Sequence, residues 1–197
     1  MTENQKTEDR CTWCGEDAIY VAYHDTEWGV PEYDSRALWE KLILDGFQAG
    51  LSWITILKKR DNFRRAFAEF DPHVIAGWGE REVNSLLQDR GIIRHRGKIE
   101  ATIGNARAWI EIENQQGFDQ FLWDYMDGAP LQNRFQTMAD IPTQTDLSQR
   151  ISKDLKGAGF RFCGPTIVYA FMEAVGMVND HVVTCPRHDA CAALARD

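Results

Sequence analysis

The chain has 197 residues, with 22 Lys+Arg against 30 Asp+Glu, a formal net charge of −8 and five cysteines. The length suits one sizeable core or two small lobes sharing it. The acidic balance excludes indiscriminate binding to nucleic acid, because the field of the whole molecule repels phosphate.

The opening MTENQKTEDR lacks the apolar segment of a signal peptide, and no run is apolar enough to span a bilayer, so a cytoplasmic protein is expected, with no membrane partner. An odd cysteine count in that setting suits metal ligation better than disulfides. Residues 1–9 read as disordered by composition, 10–186 as a single two-lobed domain and 187–197 as a tail, with a monomer expected.

Helical periodicity runs through the chain. In 17–28, Tyr20, Tyr23, His24 and Glu27 fall at i, i+3, i+4 and i+7 on one face, a stripe that more often serves core packing than a ligand platform. Leu38, Trp39, Leu42 and Ile43 make the next helix, and Leu51, Ile54 and Leu57 another. Between them, Asp45 and Gln48 sit in an apolar stretch broken by Gly46 and Gly50 and followed by Trp53. A carboxylate at the end of a helix opposes its dipole, so Asp45 is expected either to cap the next helix or to accept hydrogen bonds from a ligand held against Trp53.

Asp71-Pro72 reads as an N-cap followed by proline at N1, Ile99, Ile103, Ala106 and Ile110 mark a later helix, and Ile167, Ala170, Phe171 and Ala174 one opened by Gly164-Pro165. Strand alternation is nowhere sustained, so the expected fold is all-α. The turn LKGAGFRFCGPT (155–166) exposes backbone N–H groups beside a helix N-terminus, an arrangement that accepts phosphate without positive charge, although a plain helix connection has the same glycines. Three basic patches could form a local nucleic-acid face: Lys58, Lys59 and Arg60 with Arg64 and Arg65; Arg94, Arg96 and Lys98 with Arg107; and Lys153, Lys156 and Arg161.

Cys11, His24, His181 and Cys185 pair the two ends of the chain, each end offering one thiol and one imidazole. In HVVTC, His181 and Cys185 are i and i+4 and would share one side of a helical turn. Together they would fill a tetrahedral Cys₂His₂ zinc site and leave no position for water, which makes the metal structural. Spacing leaves Cys14, His188 and Cys191 as competing ligands, while the paired CxxC of a zinc ribbon and the signature of zinc deaminases are missing.

Cys11 with Trp13, YVAYHDTEWGVP (20–31), DGFQAGLSWITILKKR (45–60), GIIRHRGKI (91–99) with IGNARA (103–108), and VNDHVVTC (178–185) closely resemble the DNA-3-methyladenine glycosylase I family, in order and over nearly the whole chain. The resemblance implies a helix-hairpin-helix DNA glycosylase that hydrolyses the N-glycosidic bond of 3-methyladenine in double-stranded alkylated DNA, releasing free 3-methyladenine. It implies a structural zinc on Cys11, His24, His181 and Cys185, and a base pocket of Trp13, Tyr20, Tyr23, Asp45 and Trp53. By the same likeness the turn with Gly159, Gly164 and Thr166 is the phosphate-binding hairpin. Asp45 stands where the family usually has a glutamate, and Asn179 where many helix-hairpin-helix glycosylases carry a catalytic acid.

On that basis Tyr23 and Trp53 are expected to sandwich an extruded cationic base, with Asp45 the catalytic residue accepting from its exocyclic amine. Gln48 and Leu51 are expected to fill the gap left in the duplex, and Arg94, Arg96, Lys98 and Arg161 to meet phosphate. For the attacking water, Asp45, Glu27 and Asp180 are equal candidates. Three rivals differ in chemistry: a zinc-clasped DNA-binding module with no base pocket, a catalytic metal site on His24, Asp25 and Glu27, and a glycosylase for another base such as 3-methylguanine.

Overall fold

A computed structural model describes residues 10–194; the segment expected to be disordered, 1–9, lies outside the described residues. Eleven α-helices account for the architecture among them: α1 (Ala18–Thr26), α2 (Ser35–Gln48), α3 (Trp53–Leu57), α4 (Arg60–Ala66), α5 (Pro72–Ile75), α6 (Glu80–Leu86), α7 (Arg96–Gln115), α8 (Phe118–Trp123), α9 (Asp146–Gly157), α10 (Pro165–Ala174) and α11 (Pro186–Ala192). The one sheet among these residues pairs β1 (Leu131–Gln132) with β2 (Val178–Asn179) in parallel, Leu131 opposite Val178. No helix of the described residues is long and apolar enough to cross a membrane.

The caps follow local chemistry. Asp71 accepts from the N–H groups of His73 and Val74 with Pro72 at N1, and Gly164-Pro165 opens α10. Asp34 closes the first turn of α2 through Arg36 and Ala37. That helix is the hub: it packs on α3, α7, α8 and α10, and buries Leu38, Trp39, Leu42, Ile43, Leu44 and Phe47. Phe47 extends the core into a run of rings, with Phe47–Phe63 centroids 4.7 Å apart and Phe63–Phe67 5.9 Å.

Three expectations about local structure are corrected. Asp45 does not cap α3. It lies inside α2, one turn after Lys41, and Ser52 occupies the N-cap position of α3. Leu51 precedes α3 and is 42% exposed, because Gly50 turns the chain at φ +80° and lifts Leu51 off the core. HVVTC is a turn and not a helix, closed by the Cys185 N–H donating to the Val182 carbonyl at 2.8 Å; Pro186 then starts α11. The segment set apart as a tail carries α11, with His188 and Cys191 buried.

The loop at 29–32 rests on the end of α10: the Gly29 N–H donates to the Glu173 carbonyl at 3.1 Å and the Glu32 N–H to that of Val175 at 3.0 Å. Gly176 makes this approach possible. Its φ is +66°, and a Cβ there would lie 2.4 Å from the Pro31 nitrogen and the Val30 carbonyl carbon. Because both the left-handed backbone and the backbone contact oppose a side chain, Gly176→Ala is expected to destabilise the protein by on the order of 2–3 kcal/mol, lowering the melting temperature by roughly 5–10 °C in a thermal melt.

Candidate functional site

Two sites share α1. In one, His24 meets His181, Cys185 and Cys11, all buried, with one potential ligand atom from each within 4.8 Å of the others. Cys185 Sγ lies 3.6 Å from His24 Nε2 and 3.6 Å from His181 Nδ1, and Cys11 Sγ lies 3.6 Å from His181 Nδ1. With metal–sulfur bonds of about 2.3 Å and metal–nitrogen bonds of about 2.0–2.1 Å, tetrahedral corners fall roughly 3.6 Å apart, so the spacing suits a four-coordinate ion.

Each imidazole is also oriented from behind. His24 Nδ1 pairs with Asp25 Oδ1 at 2.8 Å, and Arg10 grips the same carboxylate; His181 Nε2 donates to the Trp28 carbonyl at 3.0 Å. The Cys185 thiol is drawn far below its usual range by the hydrogen bond from Cys11 and by both imidazoles, whereas Cys185 and burial push Cys11 up. A cation bound by these four groups would be held by the sulfurs as thiolates, whose charge it would balance. Cys14, His188 and Cys191 lie outside this cluster: Cys14 Sγ donates to the Cys11 carbonyl, His188 Nε2 meets the Asn133 carbonyl, and Cys191 Sγ accepts from Arg187.

Next to this cluster, with Trp13 and Trp28 between them, lies a cavity of about 170 Å³ lined by Trp13, Tyr20, Tyr23, Trp28, Lys41, Asp45, Gln48, Trp53, Met138, Ala170 and Glu173. All five residues expected in a base pocket are among them. Trp13 and Tyr20 meet edge to face at 4.9 Å. The sandwich by Tyr23 and Trp53 needs correction: their centroids are 5.4 Å apart at a 47° tilt, whereas a ring between them needs roughly 3.5 Å on each face. The two rings touch and form one corner of the cavity.

Three buried polar atoms of the wall have no hydrogen-bond partner among the described residues: Trp13 Nε1, Trp53 Nε1 and Asp45 Oδ2. The other Asp45 oxygen accepts from Lys41 Nζ at 2.6 Å. Burial raises the Asp45 carboxyl while Lys41 opposes that rise, and burial lowers Lys41 while Asp45 opposes that fall. The other two acids named for the water step are engaged elsewhere. Glu27 pairs with Arg60, and Asp180 accepts from Asn133 at 2.7 Å and Tyr169 at 2.6 Å in the core.

Lys41, Trp28, Met138 and Glu173 were not expected here. Lys41 at i−4 from Asp45 was readable as a helical pair; Met138 and Glu173 come from distant helical segments and carried no local signal. The Glu173 carboxyl is pushed well up by burial and by the charge of Asp180.

The residues expected to meet nucleic acid come from three segments. Gln48 lines the cavity, and Leu51 is exposed. The 157–166 turn joins α9 to α10, with Gly159 at φ +104° and Phe162 at φ +56°. Asn105 clamps it by donating to the Arg161 carbonyl at 3.0 Å and accepting from its N–H at 2.8 Å. Gly159, Arg161 and Thr166 are exposed, as is Arg94. Arg96 is exposed but bound to Glu80, Asn84 and Glu100. Lys98 is buried, its ammonium donating to the carbonyls of Phe47 at 2.8 Å and Ala49 at 2.6 Å, where it ties down the end of α2.

A family model described as methyladenine glycosylase matches residues 13–188. The chain is 53% identical over 178 residues to DNA-3-methyladenine glycosylase 1 of Escherichia coli, covering 90% of this chain and 95% of that protein. It is 47% identical to the DNA-3-methyladenine glycosylase of Haemophilus influenzae, covering 90% and 96%. Among solved structures, 3-methyladenine DNA glycosylase I from Staphylococcus aureus, solved to define 3-methyladenine recognition, matches with a TM-score of 0.88 at 38% identity, covering 90% of this chain and 95% of that one. The residues matched by the family model include the whole cavity lining and three of the four clustered donors, His24, His181 and Cys185, and the chain belongs to the methyladenine glycosylase family.

Proposed function

We propose that this protein excises 3-methyladenine from alkylated double-stranded DNA by hydrolysing the N-glycosidic bond, working as a monomer in the cytoplasm. The observation that carries the reading is an aromatic cavity whose buried Asp45 keeps one carboxylate oxygen without a partner among the described residues.

Methylation at N3 leaves the adenine ring cationic within DNA, so the bond from N9 to C1′ is already weak. When it breaks, its electron pair neutralises the ring, and water adds to C1′ with loss of a proton. A leaving group of this kind needs no strong acid, so selection and positioning do most of the work. The lesion leaves the stack, which costs less for a damaged pair, and lies against the corner formed by Tyr23 and Trp53. Asp45 Oδ2 accepts from the exocyclic amine, and the Trp13 and Trp53 N–H groups offer donors to ring nitrogens.

Gln48 and Leu51, on the turn at Gly50, fill the space left in the duplex, Leu51 as the exposed apolar wedge. The 157–166 turn is read as the hairpin of a helix-hairpin-helix fold, with Gly159, Gly164 and Thr166 presenting backbone and hydroxyl donors to phosphate, and Arg94, Arg96 and Arg161 flanking it. Lys98 serves this face as a positioning residue, through the loop it anchors. Cys11, His24, His181 and Cys185 would hold one zinc ion; that donor set is closed, so the ion supplies structure and no chemistry at the lesion.

The test is chromatography of bases released from methylated DNA, with calorimetry on free 3-methyladenine. Wild type should release 3-methyladenine, and Trp53→Ala should weaken binding of the free base by ~1–3 kcal/mol through lost stacking. Absence of released base from wild type would remove the glycosylase reading in favour of a DNA-binding module.

A further inference from the structure

In the 157–166 turn, Phe162 takes a left-handed backbone, φ +56°, which a bulky residue ordinarily avoids. Such a conformation persists only where its surroundings impose it. Three helices do so here. Asn105 of α7 holds the backbone of Arg161, and the Ser152 hydroxyl of α9 donates to the Cys163 carbonyl at 2.6 Å. From α2, Gly46 lets the turn sit directly on the helix, since a Cβ there would lie 3.3 Å from the Phe162 carbonyl oxygen. The ring is thereby laid against the start of α7. It meets the His95 ring at 6.0 Å and 80°, and its Cζ is 3.9 Å from where a Cβ on Gly97 would be. Lys98 Nζ lies 5.9 Å from its centre, at the outer reach of a cation–π contact, so the ring acts mainly by its bulk. The same ammonium ties down the Phe47 and Ala49 carbonyls at the end of α2. Phe162 and Lys98 therefore join the turn to the segment that carries Gln48 and leads into Leu51.

We propose that Phe162 is a positioning residue for extrusion of the lesion, holding the phosphate-gripping turn in register with the wedge at Gln48 and Leu51. The proposal rests on reading these segments as the DNA-binding face. Grip and wedge act on one duplex, and a wedge displaces a nucleotide only if the strand is held at a fixed offset from it. Contacts to phosphate tolerate a small shift of the turn, because they carry no sequence or base register of their own. Insertion at one base step does not. Without the ring, the turn keeps its hold on the backbone while the wedge meets the stack out of place. Phe162 touches neither the base nor the bond that breaks, so its loss spares the aromatic cavity. It also spares any substrate whose base is already unstacked.

The test compares the full chain as wild type, Phe162→Gly and Phe162→Tyr on duplex and on single-stranded DNA, each treated with a methylating agent. Released base is followed in single turnovers with protein at saturation, and binding of free 3-methyladenine is measured by calorimetry. Phe162→Gly should release base from duplex roughly 10–100-fold more slowly, yet stay within about twofold of wild type on single strands and in free-base binding. Phe162→Tyr, which keeps the ring, should match wild type in all three. Glycine accepts the left-handed backbone; should circular dichroism show that this variant does not fold, Phe162→Leu takes its place. Equal slowing on duplex and single strands, a deficit that disappears at saturating protein, or no deficit at all overturns the role of Phe162 and leaves the glycosylase reading standing. Failure of wild type to release base from either DNA overturns that reading, and this role with it.

Discussion

Replacing Cys185 with alanine should lower the melting temperature by tens of degrees, and a strong chelator should do the same to the wild-type protein. Cys185 touches both imidazoles of the cluster at 3.6 Å, so its loss leaves three buried donors with no shared centre. Structural zinc in small sites contributes an apparent ~10–16 kcal/mol, comparable to the whole stability of a typical domain at about 5–15 kcal/mol. Even a fraction of that is decisive. A thiolate left without a cation would add to the loss, because its buried charge would have only hydrogen bonds to offset desolvation.

The measurement is a thermal melt with metal content read in parallel by mass spectrometry, and base release assayed at each chelator concentration. Unfolding, metal loss and inactivation should coincide. Activity lost while the fold persists would instead favour a catalytic metal on His24, Asp25 and Glu27. Acidification should act like chelation, since the thiolates and neutral imidazoles that bind metal must each gain a proton.

The second large effect belongs to Asp45→Ala. Removing one partner of a buried ion pair typically costs about 3–5 kcal/mol, because Lys41 is left charged in a dry wall. Burial already lowers Lys41, and Asp45 is the first group opposing that fall, so the variant should hold Lys41 lower still. A lysine with a depressed folded-state pKa binds fewer protons folded than unfolded, so the stability deficit should shrink as pH rises from that pKa toward the ordinary lysine value of about 10.4. Denaturant titrations of wild type and variant across that interval check it. A deficit constant with pH would mean that lost packing, not the stranded ammonium, dominates. Base binding should fall as well, by about 1.5–3 kcal/mol for a lost hydrogen bond to a charged acceptor.

The sequence carried the helices well because periodicity is a property of short windows. Leu38, Trp39, Leu42 and Ile43 all turned out buried in α2, and Asp71-Pro72 capped α5 as its chemistry requires. It carried the positions of the five cavity residues only through resemblance, since nothing in the spacing of Trp13, Asp45 and Trp53 brings them together. Asp45 was misplaced because Gly46 and Gly50 suggested a break that α2 does not make until after Gln48. Lys98 was read by its charge, whereas its environment is decided by the end of a helix 50 residues earlier in sequence, through the Phe47 and Ala49 carbonyls, on the order of a distance no local window covers.

The buried Cys/His cluster draws two of its side chains from positions 11 and 24 and two from 181 and 185. Trp13 and Tyr23, in the wall of the aromatic cavity, each lie within two residues of an early donor. During synthesis, Cys11 and His24 leave the ribosome long before anything exists for them to close upon. The cavity wall therefore sets only after the segment carrying His181 and Cys185 has been made, and a product terminated before that segment lacks the closure.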